Sequence, residues 1–257
     1  RLESIDIPEG VTAIGNCTFY NCSNLSEVSL PDSLETIGYN AFYCCSNLTE
    51  IELPGSITSI GSSAFYGTSL TKINIPESLC NTSQSSSIFA IESLKEITFD
   101  EGVWFIPGNM FSGCKGLEEV EIPESVTGIG GSAFSGCTGL TSVILPEGLK
   151  TINQYAFSGC TSLTGVVLPE SLENIGISAF SNCASLESIN IPKDITIIGV
   201  SNSYANSSYY SPFTSSGIKT VTFADNTTTI AAGMFSYVSR LESIDIPEGV
   251  TAIGNCT

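Results

Sequence analysis

Residues Gly116 to Thr138 read GLEEVEIPESVTGIGGSAFSGCT, and close copies of this 23-residue stretch run the length of the chain. Aligned on the leucine at the second position, the copies start at Arg1, Asn24, Asn47, Ser69, Ser93, Gly116, Gly139, Ser162, Ser185, Gly217 and Arg240. We number them as rungs 1 to 11. Most starts lie 23 residues apart, a period that marks a stack of small units, each too short to bury its own apolar face.

The shared pattern is x-L-x-x-I-x-I-P-E-x-V-T-x-I-G-x-x-A-F-x-x-C-x, and each column has a physical task. Leu117, Val120 and Ile122 place apolar side chains at i, i+3 and i+5, the last two on one face of a short strand. Successive rungs can then share a ladder of parallel strands about 4.8 Å apart. Proline follows the strand on most rungs, as at Pro31, Pro123 and Pro146, where its missing N–H and fixed φ end the ladder. A second extended piece, V-T-x-I-G, adds two inward positions, and its glycine (Gly15, Gly38, Gly61, Gly130, Gly176) is expected to permit the next corner. The A-F-x-x-C segment fits a single helical turn. Phe19, Phe42, Phe65, Phe111, Phe134, Phe157, Phe180 and Phe235 share one rung position and are expected to stack as a buried spine. The expected fold is a right-handed, curved solenoid. It is α/β in class but β-rich, with a parallel sheet on its concave side and short turns or single helical turns on its convex side.

With that pattern in hand, the chain resembles the BspA-like branch of leucine-rich repeats, known from bacterial surface proteins and from the surface proteins of some mucosal protozoa. The resemblance implies a shared leucine-rich-repeat scaffold and an adhesive or host-interacting role. One domain is expected over 1–257, of about ten rungs plus a partial eleventh, with irregular rungs at 69–92 and 185–216. Arg1 to Thr18 recurs unchanged as Arg240 to Thr257, and neither end carries a polar capping repeat. The reading is a fragment of a longer array in which a ten-rung block is duplicated.

Composition narrows the chemistry. Only 13% of the 257 residues are charged, yet the formal net charge is -18, a balance that repels nucleic acid and anionic membrane. No apolar run approaches the roughly 20 residues that span a bilayer, so no membrane insertion is expected. The chain has no histidine, which removes the commonest general base and the commonest zinc ligand. No cofactor and no metal are expected.

Of the ten cysteines, Cys22, Cys45, Cys114, Cys137, Cys160 and Cys183 occupy one column. Stacked equivalents have parallel Cβ vectors, unsuited to bridging, so these are read as small buried apolar residues. Cys17, Cys44, Cys80 and Cys256 stand outside the column and are the candidates for pairing or exposure.

Candidate binding residues are strand positions that point away from the core. Glu50, Glu52, Glu119 and Glu121 make the first half of the outer sheet face acidic, while Ile144 and Val167 make it locally apolar farther on. Glu50 with Glu52, and Glu119 with Glu121, lie about 6.6 Å apart along their strands, which brushes the spacing of inverting glycosidases. An open sheet face leaves both carboxylates solvated, so the chain is read as a non-enzyme. An acidic column after the proline, including Glu9, Asp32, Glu124 and Glu147, is read as solvated turns, with weak calcium binding the sharper alternative. Rung 9 carries an insert, VSNSYANSSYYSP, whose Tyr204, Tyr209 and Tyr210 have the composition that antibody loops use for recognition. The expected function is an extracellular or cell-surface binding module for host or matrix proteins or glycans. The alternative is a stalk or spacer with no ligand of its own. Eight N-x-[ST] sequons, from Asn16 to Asn255, are glycan acceptors only in a eukaryotic secretory route.

Overall fold

A computed structural model describes residues 2–81, 87–199 and 211–255. The described rungs stack as a parallel β-solenoid of about ten turns with little helix. Each regular rung contributes a front strand, such as Glu119–Glu121 or Ser142–Ile144, and a second two- or three-residue strand, such as Gly128–Ile129 or Thr151–Ile152. Neighbouring rungs pair in parallel and in repeat register: Glu119 faces Ser142 and Val120 faces Val143, while on the second ladder Ile129 faces Ile152. That register follows from the repeat itself, since equal columns bury the same face only when stacked in step.

The core is built of columns. Leu117, Leu140, Leu163 and Leu186 are fully buried, as are Ile129, Ile152 and Ile175 behind them. The phenylalanine spine is present and longer than the eight rings named above, because Phe89 and Phe213 complete it through the two irregular rungs. Ring centroids are 5.1 to 5.5 Å apart between regular rungs, as at Phe19–Phe42, Phe42–Phe65 and Phe134–Phe157. They open to 6.0 Å for Phe65–Phe89 and to 6.2 Å for Phe213–Phe235. Phe99 and Phe223 pack edge-on against Phe111 and Phe235, at 88° and 84°.

Two expectations are corrected here. The A-F-x-x-C segment is not a helical turn: the Phe134 N–H donates across to the Ala156 carbonyl of the next rung at 2.8 Å, and Phe157 does the same to Ala179 at 2.8 Å. Alternate donors, Phe134 and Gly136, thus join rungs, while Ala133, Ser135 and Cys137 close turns within the rung, so no helix forms. The one described helix is Glu77–Cys80, after Pro76 and away from this segment. Nor does the glycine of V-T-x-I-G turn the corner. Left-handed φ falls two residues later, at Asn40 (52°), Ser132 (57°) and Ser178 (56°). The glycine serves close approach: a Cβ on Gly61, Gly130 or Gly176 would collide with backbone of the preceding rung, at Tyr39, Gly108 and Gln154 respectively. Pro107, Asn153 and Ala231 stand at this position on rungs 5, 7 and 10, so the need is local to particular rung pairs.

Hydroxyls satisfy backbone carbonyls between rungs. Ser78, Ser125 and Ser171 donate to the carbonyls of Ile57, Val103 and Leu149 one rung back, at 2.6, 2.6 and 2.7 Å. Asp194 ties rung 9 to rung 10: its carboxylate accepts the N–H groups of Thr228 and Thr229 at 2.9 and 3.0 Å, and both hydroxyls as well. Those bonds hold its carboxyl below the usual range.

Among the described residues the front strands pair in four separate groups, and two of the gaps between them fall where a rung has no front strand, while the spine continues through both. Residues 50–52 of rung 3 form no strand, and rung 8 keeps one bridge, Gly165 to Ser142. At both places the following rung supplies an asparagine. Asn74 accepts the Leu53 N–H at 2.9 Å and donates to the Leu53 carbonyl at 3.0 Å. Asn190 makes the same pair of bonds to Leu168, at 3.0 and 2.8 Å. A side-chain amide thus replaces a strand neighbour's backbone, and the two rungs part at the surface.

Candidate functional site

The front face carries most of the candidate residues, and the interruptions at rungs 3 and 8 each lie beside a groove. Glu50 and Glu52 line an opening of about 670 Å³ with Lys72, Lys95 and Glu96, and they also line a neighbouring one of about 570 Å³ with Glu27. The acidic half-face is therefore not continuous. Lys72 pairs with Glu96 at 2.6 Å, and Lys95 stands beside it, so the negative charge falls into one block around Glu27, Glu50 and Glu52 and a second around Glu119 and Glu121. Exposed pairs of this kind contribute about 0 to 1 kcal/mol each, so they shape the field more than the stability.

Ile144 and Val167 are brought together. They are 61% and 73% exposed and line a third groove of about 360 Å³ with Glu147 and Ser188. Ile144 lies directly opposite Glu121 on the paired strand, and Ser142 opposite Glu119. Adjacent rungs thus set the solvated Glu121 carboxylate next to exposed Ile144, with exposed Val167 one rung farther on. Tyr204, Tyr209 and Tyr210 lie outside the described residues. The chain leaves for the insert after Gly199, one residue beyond the second-ladder strand Thr196–Ile198, and re-enters at Ser211 and Pro212, whose carbonyls accept from Ser178 and Phe180 at 3.0 and 2.7 Å.

The cysteine column is buried and reduced at Cys45, Cys114, Cys137, Cys160 and Cys183, with Cys22 partly exposed. It does more than fill space. Each of these five thiols donates to the carbonyl of the phenylalanine one rung back, as from Cys137 to Phe111 and from Cys183 to Phe157, both at 3.2 Å. Burial pushes the Cys45 thiol up to about 11 and those of Cys114 and Cys183 up to about 12. Cys80, expected among the exposed or paired cysteines, is free and buried instead, its thiol raised to about 12 by burial. It sits in Glu77–Cys80, the one helix among the described residues. Cys17 is free and exposed, Cys44 free and partly exposed, and Cys256 lies outside the described residues. Among the described residues no group of three or more Cys, Asp or Glu is arranged to hold a metal ion, and no helix is long and apolar enough to cross a membrane.

Sequence reading missed an aromatic surface on the turn side of rungs 1 to 3. Tyr20, Tyr43 and Tyr66 stack with centroids 5.0 and 5.2 Å apart and planes within 5° and 20°. Tyr20, Tyr66 and the nearby Tyr39 are each about half exposed, at 50%, 45% and 51%. The signal was the dipeptide Phe-Tyr, which occurs on three consecutive rungs where rungs 5 to 8 have Phe-Ser. Trp104, 49% exposed with its indole N–H donating to Asn81 at 2.7 Å, was also passed over.

A family model described as BspA type leucine rich repeat region matches in six copies, over residues 1–90, 82–211 and 200–257. Among solved structures, a leucine-rich repeat protein from Bacteroides ovatus is 28% identical with a TM-score of 0.77, over 98% of this chain and 62% of its own. A leucine rich cell surface protein from Faecalibacterium prausnitzii is 26% identical with a TM-score of 0.52, over 100% and 60%. The pneumococcal vaccine antigen PcpA, 24% identical with a TM-score of 0.54 over 98% and 56%, shares the fold. The chain thus spans between 56% and 62% of these three. No curated protein is similar enough in sequence to match.

Proposed function

The chain belongs to the BspA-type leucine-rich-repeat family, and from that premise we propose that it is a non-catalytic adhesin whose front face binds a host or matrix polypeptide at a cell surface. A repeat scaffold of the bacterial surface type supports protein binding in general. The observation that carries the finer reading is the pairing of Ile144 and Val167, 61% and 73% exposed, beside Glu119 and Glu121. Rungs 9 and 10 place Asn190 and Thr222 at the same position, so the scaffold does not require apolar side chains there. A contiguous exposed apolar pair rimmed by carboxylates suits a basic segment with an apolar residue to insert. The acidic block at Glu50 and Glu52 extends the same field, and the insert with Tyr204, Tyr209 and Tyr210 is a second contact region in this reading. Catalysis is disfavoured because Glu50, Glu52, Glu119 and Glu121 are all exposed, where water screens one carboxylate from another.

The test is binding of Ile144→Asp/Val167→Asp to immobilised matrix proteins such as fibronectin and fibrinogen, beside the unaltered chain. Both positions point into solvent, so the melting temperature should hold while affinity falls at least tenfold. Equal binding by the two proteins removes this site, and no binding by either supports a spacer.

A further inference from the structure

The tyrosine ladder lies on a different part of each rung from the front face and is independent of the reading above. Rungs act as internal controls for one another. At the position after the spine phenylalanine, rungs 5 to 8 carry Ser112, Ser135, Ser158 and Ser181, and these hydroxyls join the rungs: Ser112 donates to the Ser135 carbonyl at 3.2 Å, Ser135 to the Ser158 carbonyl at 3.3 Å, and the Ser158 and Ser181 hydroxyls meet at 2.8 Å. Serine therefore satisfies the scaffold. Tyr20, Tyr43 and Tyr66 replace it on three successive rungs and leave aromatic surface in water, which the fold has no need to do.

Charge says what the ladder suits. Residues 10–26, 36–49 and 55–71, which hold these turns, contain no charged side chain in a chain whose net charge is -18. An uncharged strip offers no steering or pairing to a charged polypeptide or to an anionic polymer. Around Tyr20 the exposed neighbours are amide and hydroxyl, Asn16, Thr18 and Asn21; charge enters at the far end of the ladder, where Lys115, paired with Glu92, lies within electrostatic reach of Tyr66. Stacked rings present phenol groups and ring edges, and the edge of an aromatic ring carries the positive part of its quadrupole. Ring and glycosidic oxygens are attracted to such edges, and sugar hydroxyls exchange hydrogen bonds with phenols and amides. The repeat of the ladder, 5.0 and 5.2 Å, is close to the length of one β-linked pyranose unit.

We infer that Tyr20, Tyr43 and Tyr66 form a binding strip for a neutral, extended β-linked glycan, with one sugar unit set against each ring and Tyr39 at its flank. The decisive variant is Tyr20→Ser/Tyr43→Ser/Tyr66→Ser, which installs the residue that rungs 5 to 8 already accept. Isothermal titration with cellohexaose and chitohexaose should show saturable binding by the unaltered chain. The triple serine variant should lose at least tenfold in affinity while keeping its circular dichroism, and Tyr43→Phe should lose less. Tyr43→Ser alone gives the same readout, with a smaller loss, if the triple variant does not fold. Ile144→Asp/Val167→Asp should bind these sugars as the unaltered chain does, which separates this strip from the front-face site. The inference is overturned if neither neutral glycan binds, if the serine variants bind them equally well, or if an anionic hexagalacturonate binds more tightly than both.

Discussion

Substituting Phe134 tests whether the aromatic column is what joins rung to rung. The ring is fully buried, with Phe111 and Phe157 each 5.3 Å away. Truncating a buried phenylalanine to alanine costs about 3 to 5 kcal/mol in transfer free energy and residual cavity. Stacked aromatic pairs add roughly 0.5 to 1.5 kcal/mol each beyond area, so two lost pairs account for about 1 to 3 kcal/mol of stabilisation. Phe134→Leu keeps most of the apolar volume and forfeits chiefly the pairs, so it should cost roughly 1 to 3 kcal/mol where Phe134→Ala costs the larger sum. Because each rung touches only its neighbours, the loss falls on the interfaces of rung 6 with rungs 5 and 7. Urea unfolding followed both by circular dichroism and by the fluorescence of Trp104, the only tryptophan and a rung 5 residue, should separate in Phe134→Ala and coincide in the unaltered chain. A loss under about 1 kcal/mol in the alanine variant, with the two probes still coincident, would refute the reasoning, since ordinary core truncations already exceed it.

Two further outcomes follow from described contacts. The thiols of Cys45, Cys114 and Cys183 are raised to between about 11 and 12 from an ordinary 9.0. The folded chain therefore holds its protons where the unfolded chain releases them. Stability is full below about pH 9 and falls as pH climbs toward 12; native protein at pH 8 should react slowly with a thiol reagent and expose at least five more thiols in urea, and an unchanged count would show the column to be accessible or cross-linked. Replacing Asn74 or Asn190 by aspartate removes the donor to the Leu53 or Leu168 carbonyl and sets a carboxylate against it. A loss of roughly 1 to 3 kcal/mol is expected for the orphaned, buried peptide group, read by urea denaturation, whereas Asn190→Gln with no loss at all would show the clamp to be dispensable.

The fold was legible because one period repeats: a column such as Leu117, Leu140 and Leu163 states both the rung and its register. Less legible were features that depend on how close neighbouring rungs come. Nothing in I-G says whether Gly130 is needed for its own φ or for the backbone of Gly108 beneath it, and that distinction needs coordinates. The A-F-x-x-C segment misled in the same way, since alternate N–H groups, those of Phe134 and Gly136, go to the next rung while Ala133, Ser135 and Cys137 close turns within their own. Cys80 looked irregular by column but is buried within the short helix Glu77–Cys80. At the candidate site, exposure of Ile144 and Val167 could be read from strand alternation. The asparagine clamps and the tyrosine ladder could not, although K-I-N-I, S-I-N-I and Phe-Tyr were there to be seen as departures from the consensus.

The two asparagine clamps give the solenoid an uneven mechanical compliance. The ring column runs unbroken from Phe19 to Phe235, so that side resists extension. At Leu53 and Leu168 the front is held by the amide of one side chain, which yields under load far sooner than a ladder of backbone bonds. Force applied along the axis should therefore be relieved at these clamps before the paired strands, bowing the stack so that the grooves beside Glu50 and Val167 widen. The chain would then change the shape of its front face under load, before any rung unfolds.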